Sequence, residues 1–98
     1  MVNPAGAKLQ AQGSVVMGLS STLREELQIR EGQVVSDNFD TYRLLEMAAT
    51  PPVRVTFTGG GEQPYGMGEP VVGPVPAAVA NSIRAAGGPR LRSLPLRL

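Results

Sequence analysis

The chain has 98 residues, of which 42% are hydrophobic and 17% are charged, and its formal net charge is +1. This length allows one small domain, and the composition favours a folded chain over a disordered one. The near-neutral charge argues against a nucleic-acid-binding surface. Because the sequence contains neither cysteine nor histidine, disulfides, thiol nucleophiles, Cys/His metal sites and Ser-His triads are excluded.

No stretch of the sequence resembles a signal peptide or is apolar over a length that would cross a membrane. We therefore expect no membrane insertion, and the sequence leaves a cytoplasmic and a periplasmic location equally open.

The first predicted element is a helix over residues 7–27. Its apolar residues recur at nearly helical spacing and define one buried face: Leu9, Val15, Val16, Leu19, Leu23 and Leu27. Gly13, Ser14 and Gly18 are small residues on the same helix, and a glycine inside a helix costs about 1 kcal/mol relative to alanine. These small residues therefore predict a close approach of another backbone.

The middle of the chain has the alternation that is typical of β-structure. Residues 25–36 predict a hairpin that turns at Glu31 and Gly32, and residues 53–58 predict a further strand. Between them, residues 43–49 predict a short helical segment. Most of the glycines and prolines follow Thr50, so the second half should be rich in loops.

A second helix is predicted over residues 77–86, because Gly87, Gly88 and Pro89 form a typical helix stop. The tail of residues 90–98 alternates basic and apolar side chains and predicts an edge strand. The sequence therefore predicts an α+β fold with two helices, a hairpin, one further strand and a C-terminal edge strand.

Residues 64–70, Pro-Tyr-Gly-Met-Gly-Glu-Pro, hold a single carboxylate, Glu69, between two glycines and a proline. Gly66 and Gly68 permit unusual backbone conformations and the close approach of a bound group, and Pro70 stiffens the turn. Two interpretations remain open at this point. Glu69 is either an acid positioned for chemistry or an ordinary exposed acid near the start of a helix.

Nine short segments, taken in order, carry a resemblance to a known family. They are residues 2–4, 10–13, 18–19, 32–34, 38–42, 52–55, 66–70, 80–83 and 92–96. Together they resemble the C-terminal end of the molybdopterin-binding large (beta) subunit of the xanthine dehydrogenase/aldehyde oxidase family, most nearly the isoquinoline 1-oxidoreductase type. One departure is Gln12, which stands where relatives usually have glutamate.

In that family the Gly-x-Gly-Glu-Pro element carries the catalytic acid, so the resemblance implies that Glu69 is the general base. It also implies that Gly66, Met67 and Gly68 approach the cofactor through their backbone. The implied cofactor is molybdenum–molybdopterin, in its cytosine dinucleotide form, with no metal ligand from this chain. The implied reaction is the hydroxylation of an aldehyde or an N-heterocycle with water as the oxygen source, and [2Fe-2S] clusters on a partner chain carry the electrons.

The resemblance makes residues 1–98 the C-terminal part of the second molybdopterin-binding domain, and therefore an incomplete domain. Its expected partners are the remainder of the large subunit, an iron–sulfur small subunit and the small-molecule substrate, and the isolated chain should be inactive. The alternative is a non-catalytic, stand-alone interaction module that keeps the fold of this segment. Apolar edges at Val53, Leu91, Leu94 and Leu96 argue against a stable monomer.

Overall fold

The computed structural model describes residues 1–59, 61, 63 and 65–98. Its elements, in chain order, are α1 (Pro4–Leu23), β1 (Ile29–Arg30), β2 (Gln33–Val34), a 3₁₀ turn (Met47–Ala49), α2 (Glu69–Val72) and α3 (Pro74–Ala85). The predicted α+β class is confirmed, with two long helices and a small antiparallel hairpin. Within the described residues, no helix has the length and apolar character needed to cross a bilayer.

Helix α1 begins at Pro4, three residues before the predicted start. The side-chain oxygen of Asn3 accepts a hydrogen bond of 2.9 Å from the backbone N–H of Gly6, which caps the helix. Pro4 follows in the first turn, where no N–H is needed. The helix ends at Leu23, because Arg24 leaves the helical region at φ −129° and ψ −45°. The Asn-Pro pair therefore marks the start of this helix.

Helix α1 packs against both α2 and α3, and the helices come close together at Gly18. A Cβ atom at Gly18 would lie 2.8 Å from the Cβ of Val75 and 3.2 Å from the carbonyl oxygen of Val72. The predicted close approach is therefore confirmed at Gly18. Gly13 differs, because a Cβ atom there would meet nothing within 4 Å.

The hairpin forms as predicted, with Ile29 paired to Val34 and Arg30 paired to Gln33. Glu31 and Gly32 both have positive φ, 50° and 77°, which is the conformation that tight two-residue hairpin turns require. The turn residues, rather than burial, determine this hairpin, since both strands are exposed.

The two other predicted strands, residues 53–58 and 90–98, are absent from the described part of the chain, where β1 and β2 form the sheet. A strand needs a neighbouring backbone to complete its hydrogen bonds, and these segments contact α1 instead. The carbonyl of Val53 accepts from the side chain of Gln12 at 2.9 Å. The backbone N–H of Leu96 donates to the carbonyl of Thr22 at 2.7 Å.

Two helix predictions also need adjustment. Helical structure in residues 43–49 is limited to the 3₁₀ turn of Met47–Ala49. The turn ends at Thr50, which is extended, the conformation favoured before a proline. Helix α3 begins at Pro74 rather than at residue 77, since a proline is readily accommodated in a first helical turn. The predicted glycine stop is confirmed at Gly87, which has φ 89°.

The hydrophobic core is small. The buried apolar residues of the described chain are Ala11, Val75 and Leu96. The accessible surface is 7720 Å², whereas a compact monomer of this mass exposes about 5,400 Å². The radius of gyration is 16.2 Å, against about 13 Å for a compact chain of this length. The fold thus exposes far more surface than a self-contained domain.

Candidate functional site

A cavity of about 400 Å³ lies where the loop before α2 meets α1. Its α1 wall is formed by Gln10, Gly13, Ser14 and Met17, and its opposite wall by Gly68, Glu69 and Val72. Four of these residues come from the stretches that carried the resemblance: Gln10, Gly13, Gly68 and Glu69. The fold therefore brings together two stretches that are far apart in the sequence.

Glu69 is the first residue of α2 and is exposed to solvent at this cavity. Its carboxylate accepts no hydrogen bond from any residue that the structure describes. An exposed carboxylate without such partners is free to bind a group or accept a proton in the cavity. Both interpretations of Glu69 stay compatible with this location, but the acid now has a concave surface beside it.

Ser14 connects the two walls of the cavity. It is only 4% exposed, and its hydroxyl lies 2.7 Å from the carbonyl oxygen of Gly68 and 2.8 Å from that of Gln10. The hydroxyl has one hydrogen, so the two carbonyls share it in a three-centre hydrogen bond. The backbone immediately before Glu69 is thereby attached to α1.

Of the other residues predicted for the site, Gly68 lines this cavity, whereas Met67 does not. Met67 and Tyr65 line a separate cavity of about 370 Å³ near the N-terminus, together with Met1, Val2, Asn3 and Ala7. Gly66 lines neither of these two cavities. A Cβ atom at Gly66 would meet nothing within 4 Å. Pro64, the first residue of the stretch, lies outside the described residues.

The chemistry of these residues fits a cofactor that is held by hydrogen bonds. The cavity offers one carboxylate, one amide and a glycine backbone, and the free space at Gly13 and Gly66 admits a bound group close to the main chain. Within the described ranges, no cluster of three or more Asp or Glu residues is arranged to hold a metal ion. This donor set suits an organic cofactor that brings its own ligands to the metal.

A second polar cluster lies in the loop of residues 38–42. The phenol of Tyr42 donates a 2.8 Å hydrogen bond to the carboxylate of Glu25. This hydrogen bond, together with desolvation and the negative charge of Glu25, raises the pKa of Tyr42 above its ordinary value. The hydrogen bond connects this loop to Glu25, which follows α1 closely in the sequence. Neither Tyr42 nor Glu25 lines the cavity at Glu69.

Sequence patterns missed two of the contacts that shape the site. The small size of Ser14 and the departure of Gln12 from the family pattern do not by themselves indicate these contacts. Gln12 in fact ties α1 to Val53 through its side-chain amide. The signal in the sequence for Ser14 is a short polar side chain among the glycines of α1. Such a side chain lets another backbone come close and can donate a hydrogen bond to it.

Comparisons with known proteins identify the family to which the chain belongs. The family described as the molybdopterin cofactor-binding domain matches residues 1–51. The chain therefore belongs to this family, which occurs in the molybdenum-binding subunits of the xanthine dehydrogenases and aldehyde oxidases. The predicted family is confirmed.

Relatives align along nearly the whole chain. A membrane-bound aldehyde dehydrogenase of Gluconacetobacter polyoxogenes, whose name specifies pyrroloquinoline quinone, is 43% identical over 99% of this chain and 12% of its own length. The beta subunit of isoquinoline 1-oxidoreductase of Brevundimonas diminuta is 30% identical over 99% of this chain and 12% of its own length. The xanthine dehydrogenase molybdenum-binding subunit of Escherichia coli O157:H7 is 33% identical over 98% of this chain and 14% of its own length.

The chain thus spans about one eighth of the length of these relatives. No solved structure matches it significantly. The family match ends at residue 51, so it includes the α1 wall of the cavity, whereas the wall with Glu69 is covered by the aligned relatives alone.

Proposed function

We propose that this chain is the C-terminal part of the second molybdopterin-binding domain of a molybdenum hydroxylase, with Glu69 as the general base. The observation that carries the proposal is the cavity shared by Glu69 and α1. It places an exposed carboxylate opposite Gln10, Gly13 and Ser14, which lie in the part of the chain that matches the cofactor-binding family. The substrate class is an aldehyde or an N-heterocycle, in line with the names of two of the relatives.

In this proposal the bound cofactor supplies the redox chemistry of a hydroxylation in which water is the oxygen source. Glu69 accepts the proton that the water-derived nucleophile loses as it attacks the substrate carbon. The backbone of Gly66, Met67 and Gly68 contacts the cofactor. The free space at Gly66 supports this role for the backbone, whereas the side chain of Met67 lines a different cavity.

The cofactor that we propose is molybdenum–molybdopterin in its cytosine dinucleotide form, with [2Fe-2S] clusters on a small partner subunit. The family description supports a molybdopterin, while the name of one relative specifies pyrroloquinoline quinone. Metal analysis and acid hydrolysis of the purified holoenzyme distinguish these cofactors. Molybdenum with release of CMP supports the proposal, and a quinone without molybdenum or a pterin contradicts it.

The surface of the chain supports an incomplete domain. It exceeds that of a compact monomer by roughly 2,300 Å², which is in the size range of obligate interfaces. Large apolar side chains lie in water, including Phe39 at 76% exposure and Met47 at 90%. We therefore propose that the remainder of a large subunit covers these side chains, and that the isolated chain is inactive.

The second candidate is a stand-alone interaction module without catalytic activity. It requires that the 98-residue chain be a soluble monomer that unfolds cooperatively and binds no pterin. Sedimentation and thermal unfolding of the isolated chain test this directly. Aggregation or non-cooperative unfolding excludes the module, and a cooperative monomer contradicts the incomplete domain.

The decisive test of the catalytic role is Glu69→Gln in the complete large subunit, assembled with its small subunit and cofactor. Loss of a general base typically lowers the rate by about 10²–10⁴-fold, so we expect kcat/KM to fall by that factor at unchanged molybdenum content. Glu46→Gln is the matched control, because Glu46 is also exposed but does not line this cavity. Full activity of Glu69→Gln would overturn the assignment.

A further inference from the structure

We propose that Ser14 is a positioning residue that holds the backbone carrying Glu69 in its working orientation. This inference rests on the proposed function of Glu69. The evidence is the 2.7 Å hydrogen bond from the Ser14 hydroxyl to the carbonyl of Gly68, formed at a side chain that is 4% exposed. Because water has little access to Ser14, it does not readily replace this hydrogen bond.

The carbonyl of Gly68 and the N–H of Glu69 belong to the same planar peptide group, and the Cα of Glu69 lies in that plane. Ser14 therefore fixes the plane from which the Glu69 side chain departs. The anchor is rigid, because Ser14 lies in the middle of the 20-residue helix α1. A shift of this peptide plane would move the carboxylate relative to the cavity.

The glycine-containing backbone before Glu69 has little conformational restraint of its own. Gly66 and Gly68 are conformationally permissive, and a Cβ atom at Gly66 would meet nothing within 4 Å. A Cβ atom added at Gly68 would lie 3.5 Å from the side-chain amide nitrogen of Gln10, which is ordinary van der Waals distance. The packing of α2 on α1 restrains the chain after Glu69, and the hydrogen bond from Ser14 restrains the peptide before it.

Ser14→Ala removes this hydroxyl, and Ser21→Ala is the matched control. Ser21 lies on the same helix and donates to the carbonyl of Met17, four residues earlier, just as Ser14 donates to Gln10. Ser21 has no hydrogen bond to the described residues of the loop before α2, so the difference between the two variants isolates the contact with Gly68. Ser14→Cys keeps a side chain of similar size with only a weak donor, and it tests whether volume alone matters.

The first measurement is amide hydrogen exchange of residues 66–69 in the complete large subunit without cofactor. Loss of a hydrogen bond of ordinary strength should speed exchange there by about five- to tenfold in Ser14→Ala and Ser14→Cys, and leave Ser21→Ala unchanged. Unchanged exchange in Ser14→Ala, or wild-type exchange in Ser14→Cys, would overturn the proposal.

The second measurement is turnover of the loaded holoenzyme. Displacement of the base should lower kcat of Ser14→Ala by about five- to tenfold, with KM within about twofold and cofactor content unchanged. Faster exchange without a change in kcat would show that Ser14 anchors the loop but does not position a catalytic group. Full activity of Glu69→Gln would refute the role of Glu69 as the base. The exchange experiment would still test the hydrogen bond from Ser14, so failure of the proposed function and failure of this inference are distinguishable.

Discussion

The contact of α1 with α2 and α3 and the segment of residues 24–58 are held by different interactions. The helices meet at Gly18, where the backbone of α1 approaches Val75 closely enough to exclude a Cβ atom. Residues 24–58 contain one buried residue, Ser36, and depend on hydrogen bonds of polar side chains.

The comparison shows that close-packed contacts and polar contacts respond differently to amino-acid substitution. A close-packed contact cannot accept an added atom without movement of its neighbours. A hydrogen bond near the surface contributes about 0.5–1.5 kcal/mol and is partly replaced by water when it is lost. The middle segment also exposes Leu27, Phe39 and Met47, so apolar burial adds little to its stability.

The largest effect is expected at the helix contact. Gly18→Ala introduces a Cβ atom 2.8 Å from that of Val75, and overpacking of this kind costs about 1–3 kcal/mol. Gly13→Ala meets nothing within 4 Å, so it should instead stabilise α1 by about 0.5–1 kcal/mol through helix propensity. The opening free energies of α1 and α3, from native-state hydrogen exchange of the large subunit, measure both. Equal effects at the two glycines would refute the close contact.

An intermediate effect is expected at Ser36 in the middle segment. Its hydroxyl oxygen accepts from the N–H of Gln28 at 3.0 Å and donates to the carbonyl of Glu26 at 3.2 Å. Ser36→Ala should lower the local opening free energy of the hairpin by about 1 kcal/mol, measured by hydrogen exchange of residues 28–35. Ser93→Ala, at an exposed position, is the control. Unchanged exchange of the hairpin in Ser36→Ala would show that the turn alone maintains it.

The smallest effect is expected at Tyr42, and it depends on pH. The hydrogen bond to Glu25 raises the pKa of Tyr42, so its stabilising contribution is fully present below the ordinary tyrosine pKa of about 10. The contribution is lost as the pH rises through the raised value, because the phenolate cannot donate and is repelled by the carboxylate. The difference in local stability between wild type and Tyr42→Phe should therefore shrink above pH 10.

Hydrogen exchange of the loop between neutral and alkaline pH measures this difference, and Tyr65→Phe serves as the exposed control. A difference that grew with pH would contradict the contact between Tyr42 and Glu25.

Much of the local structure was predictable from the sequence. Glu31 and Gly32 indicated the hairpin turn, Gly87 indicated the end of α3, and the small residues of α1 indicated a close contact. The strand predicted at residues 53–58 did not form within the described chain. Alternation reports which side chains share a face, whereas a strand also needs a partner backbone, and Val53 has the side chain of Gln12 instead.

The candidate site was predictable only in part. The stretch around Glu69 stood out by its glycines and proline, and the ordered resemblance indicated the family. The cavity was not predictable, because Ser14 and Gly68 are 54 residues apart in the sequence. No periodicity over that separation indicates which small residue of α1 contacts the loop.

The sequence by itself determined the turn at Glu31 and the glycine stop after α3, because each depends on residue types within a few positions of one another. It also determined the family, through short segments that recur in the same order along the whole chain. Tertiary structure alone decided that Gly18 rather than Gly13 receives the neighbouring helix, and that Gly68 and Glu69 share a cavity with Gln10. The physical reason is that hydrogen bonds such as that from Ser14 to Gly68 exist only after distant parts of the chain have packed together.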